Sequence, residues 1–110
     1  MTGVLATAKA ILKNSDKDVT AAGTAEALTA TFTKAYNVTI CAKSTNSGNV
    51  YIGNSDVDSG AAATQFLPTA PGYCTPLNPT GLPLYLPLNE IYIDVDTDGD
   101  GVTFTYWETN

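Results

Sequence analysis

The chain reads as a small all-β domain: an antiparallel sandwich, jelly-roll-like fold or barrel of seven or eight short strands. Three observations carry this expectation. Threonine supplies 17 of the 110 residues, beside valine, isoleucine and tyrosine, and these residues suit a pleated, half-buried surface. Segments 90–96 and 102–107 alternate between apolar and polar positions, the period of a strand with one face buried. Glycine, asparagine, aspartate and proline gather between the apolar runs, where turns require them.

Residues 1–17 are expected to form an N-terminal arm or first strand, and 18–110 a single β-sandwich domain. Within 4–12, Val4, Leu5, Ala8, Ile11 and Leu12 fit helical spacing, with Thr2 as a cap. The β-rich remainder favours an extended arm, ending in a turn at Asn14-Ser15-Asp16. Segment 19–33 holds one or two short strands around Gly23. Segment 36–43 is a strand with Val38, Ile40 and Ala42 on one side and Asn37, Thr39, Cys41 and Lys43 on the other. After the turn cluster 44–49, segment 50–53 is expected to return as a hairpin partner. Residues 54–63 read as a loop and 64–67 as a short strand. All six prolines lie between Pro68 and Pro87. Proline donates nothing to a strand ladder, so this window reads as a long crossing loop with an edge strand near Leu84-Tyr85-Leu86. In 90–96, Ile91, Ile93 and Val95 point inward, and Glu90, Tyr92, Asp94 and Asp96 outward. In 102–107, Val102, Phe104 and Tyr106 share a face. The Asp-Gly turn between these runs predicts a hairpin.

The composition excludes much chemistry. There is no histidine, all five basic residues are lysine, and the net charge is −6. Without histidine, no Ser-His-Asp or Cys-His nucleophile can be assembled within the chain. The paired acids, such as Asp56 and Asp58, have no apolar pocket to raise a carboxyl pKa. The chain is therefore expected not to be an enzyme. Its acidity disfavours nucleic acid, and no apolar run reaches the length of a membrane helix. Residues 1–43 carry a net +2 and residues 44–110 a net −8. No signal peptide is expected at the N-terminus. Cys41 and Cys74 could close a loop as a disulfide or remain two free, buried thiols, and on that ground free thiols are favoured.

Two clusters are candidate sites. Asp94, Asp96, Asp98 and Asp100, with Gly99, resemble the start of a Ca2+-binding EF-hand loop, in which oxygen ligands alternate around a sharp turn. The twelfth position is Thr105 where that loop needs glutamate, so no cofactor is expected beyond this candidate Ca2+ site. Tyr73, Tyr85 and Trp107 are candidate aromatics for a subunit interface or a sugar platform. The P-x-x-P pairs at 68–71 and 76–79 lack a nearby basic residue and read as stiff loop.

The segments VTICA (38–42), NSGNVYIG (46–53), NSDV (54–57), EIYID (90–94) and GDGV (99–102), closed by an aromatic strand, occur in a telling order and spacing. In this the run from Asp18 to Glu108 resembles a family of small bacteriophage virion proteins, those that decorate the head or serve as minor structural components. It departs from them at 59–89, where a short loop with a leucine-proline-glycine turn is replaced by a longer, proline-rich segment containing Cys74. The resemblance implies a β-sandwich decoration protein on the capsid surface, made in the host cytoplasm. It implies the major capsid protein as partner and a homo-oligomer, a trimer first. For the shell-binding arm the candidates are Lys9, Ile11, Leu12, Lys13 and Lys17, since an extended segment can join a neighbouring sheet edge. Two other readings compete: a tail- or fibre-associated virion protein, and a carbohydrate-binding module for host-surface attachment.

Overall fold

A computed structural model describes residues 9–60, 67–77 and 84–109. The expectations for 1–8 and 64–66 lie outside the described residues. Nine strands and one 3-10 turn make up the described secondary structure, with no α-helix among those residues. The strands are β1 (Ala10–Asp18), β2 (Glu26–Ala27), β3 (Lys34–Ala42), β4 (Val50–Gly53), β5 (Leu67–Thr69), β6 (Cys74–Leu77), β7 (Leu86–Pro87), β8 (Tyr92–Val95) and β9 (Gly101–Thr109). The 3-10 turn spans Leu88–Glu90.

Every described strand pairing is antiparallel. One sheet runs β1-β9-β3-β6, with β7 also on β3; the other runs β2-β8-β4-β5. The molecule is all-β and sandwich-like. The alternating residues meet in one core. Val38 and Ile40 of β3 and Val102 and Phe104 of β9 face Val50 and Ile52 of β4 and Ile93 and Val95 of β8. Val19, Leu28 and Leu88 close its ends. Each such side chain, fully buried, contributes roughly 1.5–3 kcal/mol of transfer free energy.

Several expectations are corrected. Asn14-Ser15-Asp16 is not a turn but the middle of β1, paired with Thr105, Phe104 and Thr103. The continuous ladder to β9 satisfies the backbone there and overrides the local turn preference. Strands β3 and β4 do not form a hairpin: β3 pairs β9, β6 and β7, while β4 pairs β5 and β8. Nor do β8 and β9, which lie in opposite sheets. Alternation states which face is apolar, but two such strands can bury those faces side by side or across a core. The turn between them is a corner, anchored by Val19, whose N–H donates to Asp100 O (2.9 Å) and whose carbonyl accepts from Gly99 N (2.8 Å). Gly99 supplies the φ of 86° that the corner needs. At Gly101 a Cβ would collide with the backbone of Lys17 and Asp18, so the close approach of β1 to β9 depends on this glycine.

The proline window is not one crossing loop. It contains β5, β6 and β7, with Pro68, Pro76 and Pro87 on short strands at sheet margins, where a missing N–H is tolerated. This pairing sets Cys74 opposite Cys41 on β3. The two form a disulfide across 33 positions, overturning the expectation of free thiols. Cross-strand register brings the sulfurs together whatever the route of export.

Asn37 is the one described non-glycine residue with positive φ, at 52°. It sits at a bulge. The register steps from Tyr36↔Trp107 to Thr39↔Thr105, so Asn37 and Val38 together oppose Tyr106. The extra residue reverses the parity of β3, leaving Ala35, Val38 and Ile40 buried and turning Tyr36 outward beside Trp107.

Candidate functional site

The four aspartates of the Asp-rich segment accept from the backbones of three surrounding loops. Asp94 is fully buried, although alternation places it outside. Its Oδ1 accepts from the N–H groups of Gly23 (2.9 Å) and Val95 (2.8 Å), and its Oδ2 from Ser59 (2.6 Å). Asp96 Oδ2 accepts from Asn49 N (3.1 Å), and the Tyr51 hydroxyl donates to the same carboxylate at 3.0–3.1 Å. Asp98 Oδ1 takes Ala22 N (2.7 Å), and Asp100 Oδ2 takes Ser47 N and Gly48 N, both at 2.9 Å. Asn46 adds a reciprocal pair with the Gly101 backbone. Among the described residues, no three acidic or sulfur side chains gather as a metal site. These carboxylates serve instead as acceptors that tie loops around 20–25, 44–49 and 54–60 to one corner. Burial, and then the adjacent Asp96 carboxylate, hold the Tyr51 hydroxyl pKa above its usual range.

The arm candidates fall on two faces of β1. Ile11, Lys13 and Lys17 share one face, and Leu12 lies on the other, paired with Trp107. Lys13 stands 3.8 Å from Glu108, and Lys17 contacts Glu26 at 2.8 Å. Glu26 also accepts from Thr20 N (2.9 Å). The Lys17 hydrogen bond, followed by that of Thr20, lowers the Glu26 pKa below 4.5. A carboxylate with a depressed folded-state pKa stabilises above its unfolded pKa and loses that contribution as pH falls through the folded value. Glu26→Gln is therefore expected to flatten part of the decline in melting temperature below about pH 4.5, measured against the parent chain. At the same end of β1 but on its other face, Lys43 bridges Asp18 (2.7 Å) and Asp16 (3.0 Å), and those bonds, Asp18 first, raise its pKa.

The three aromatic candidates do not converge. Tyr73, 69 % exposed, lies in the turn before β6, its carbonyl accepting from Ala42 N at the far end of β3 from Tyr36. Tyr85 packs edge-on against Phe32 (6.2 Å between centroids), with Lys34 Nζ 5.0 Å from its ring. Trp107, 38 % exposed, lies between Leu12 of β1 and Tyr36 of β3 on the outer sheet face. There a concavity of about 410 Å3 is lined by Ala10, Tyr36, Asn37, Trp107 and Thr109. Tyr36 and Asn37 were outside the sequence-based candidates. The one signal for them is an asparagine, a poor strand former, inside an otherwise clear strand. A larger depression of about 570 Å3 lies over Asn14, Asp16, Lys43, Thr103 and Thr105.

Comparison with protein-family models, curated proteins and solved structures finds no match for this chain.

Proposed function

We propose that this chain is a non-enzymatic bacteriophage virion protein that decorates the outer surface of the assembled head and stabilises it, with the major capsid protein as its partner. The order of sequence segments resembling small virion proteins motivates the reading. The observation that supports it structurally is β1. This nine-residue strand pairs β9 along its whole length, and no other described strand pairs with it. Its second edge can extend a capsid subunit's sheet by backbone hydrogen bonding, with Ile11 and the lysines of the same face choosing the register. The exposed acids of the 94–100 corner, Asp96 and Asp98, would then face solvent and keep the particle soluble. Binding only to the assembled lattice strengthens that state by mass action.

The test is binding to purified, empty, expanded heads of the source phage that lack this chain. Saturation at a stoichiometry matching the lattice symmetry is expected. Ile11→Asp and Lys9→Glu are expected to weaken binding by about tenfold or more while the melting temperature is retained. Absence of binding to such heads would refute the proposal. Saturation at only a handful of copies would move the chain to a vertex or the tail.

A further inference from the structure

We propose that the concavity between the C-terminal half of β9 and the start of β3 binds a neutral saccharide, a function separate from shell attachment. A sugar ring offers an apolar C–H face and a rim of hydroxyls. It is recognised by an aromatic surface beside uncharged groups that both donate and accept hydrogen bonds. The lining supplies that combination. Trp107 and Tyr36 are cross-strand partners on adjacent strands, and both line the concavity. The Asn37 carboxamide and the Thr109 hydroxyl provide donors and acceptors, and none of the five lining residues is charged. The neighbouring cation of β3, Lys34, is turned onto the Tyr85 ring. This lack of charge argues against a phosphate or an acidic ligand and for a neutral one.

Asn37 is the second, independent observation. Its φ of 52° is a conformation that glycine adopts at lower cost, yet the residue carries a side chain that lines the concavity. No side-chain hydrogen bond to another described residue accounts for it. The bulge it forms is also what turns Tyr36 to the Trp107 side of the sheet. Backbone strain and ring placement thus serve the same small surface, as bulges beside binding sites commonly do.

Trp107 is the single tryptophan of the chain, so its emission reports on this concavity alone. The intact chain is titrated separately with maltohexaose, cellohexaose and chitohexaose. A saturable shift of Trp107 emission with at least one of them is expected, with Kd on the order of 1 mM. Tyr36→Ala and Asn37→Gly should each weaken it about tenfold or more. Asn37→Gly is the decisive variant, because glycine accepts the positive φ and the fold is kept, as the thermal melt will show. Tyr85→Ala, outside the concavity, should bind like the parent. The proposal is overturned if none of the three saccharides shifts the emission. It is equally overturned if the shift survives both Tyr36→Ala and Asn37→Gly. An emission that responds to protein concentration but not to saccharide would also overturn it, and would mark the surface as a contact between copies of this chain.

Discussion

Replacing Asp94 with alanine is expected to destabilise the fold by about 3–5 kcal/mol, a large share of what a domain of this size usually has. The side chain is fully buried and accepts three backbone N–H bonds, from Gly23, Ser59 and Val95. Alanine leaves three donors without their acceptor, each costing about 1–3 kcal/mol where water cannot substitute. Partial relaxation of the exposed loops brings the total to the lower part of that sum. Asp94→Asn should cost less than alanine but remain clearly destabilising, since its NH2 group presents a donor where the carboxylate accepted. The control is Asp98→Ala: Asp98 is exposed and accepts one N–H, from Ala22, so its loss should stay within about 1 kcal/mol. Urea unfolding followed by far-UV circular dichroism would resolve these values. An Asp94→Ala midpoint equal to that of Asp98→Ala would show that the carboxylate does not hold the corner together.

Reducing the Cys41–Cys74 bond is expected to cost ~3–4 kcal/mol, from the loop of 33 positions it closes in the unfolded chain. The folded state is also sensitive, because β6 is a four-residue edge strand interrupted by Pro76. Its backbone ladder to β3 is short, and the covalent link is what fixes its register. Cys74 is exposed, so a phosphine reductant can reach the bond without prior unfolding. The parent chain should melt roughly 10–20 °C lower with reductant. The double variant Cys41→Ser/Cys74→Ser should melt near that lower temperature with or without it. A parent melt unaffected by reductant, with thiols shown to be free by alkylation, would refute the expected contribution.

Much of the core was legible in the sequence because a strand's period is a statement about faces. Val38, Ile40, Ala42, Ile93, Val95, Val102 and Phe104 all lie where alternation puts them. Alternation says nothing of which strand lies alongside. For that reason the β3/β4 and β8/β9 pairs read as hairpins when they are crossings between sheets. Asp94 misled for a different reason. It does point away from the core-facing Ile93 and Val95, but loops around Gly23 and Ser59 cover that outer face, and no local pattern encodes loop cover. Cys41 and Cys74 were judged by cellular context, whereas strand register decided their fate. At the candidate site, Trp107 was legible as an exposed aromatic. Tyr36 was not, because it has the same parity as Val38 and only the inserted residue at Asn37 separates their faces.

The position of β9 in its sheet has a consequence for biosynthesis. It is the last strand to be made among those described, yet it sits between β1 and β3, with Ala10 pairing Thr109 and Ile40 pairing Phe104. Until its residues leave the ribosome, neither β1 nor β3 has the neighbour that completes its ladder. The nascent chain must therefore keep two long, partly apolar segments apart while the second sheet begins to gather. Such non-local closure places folding in the slower range for domains of this length, roughly milliseconds to seconds. The lysines at 9, 13 and 17 and the aspartates at 16 and 18 give the waiting β1 segment the charge that keeps unpaired strands from joining one another.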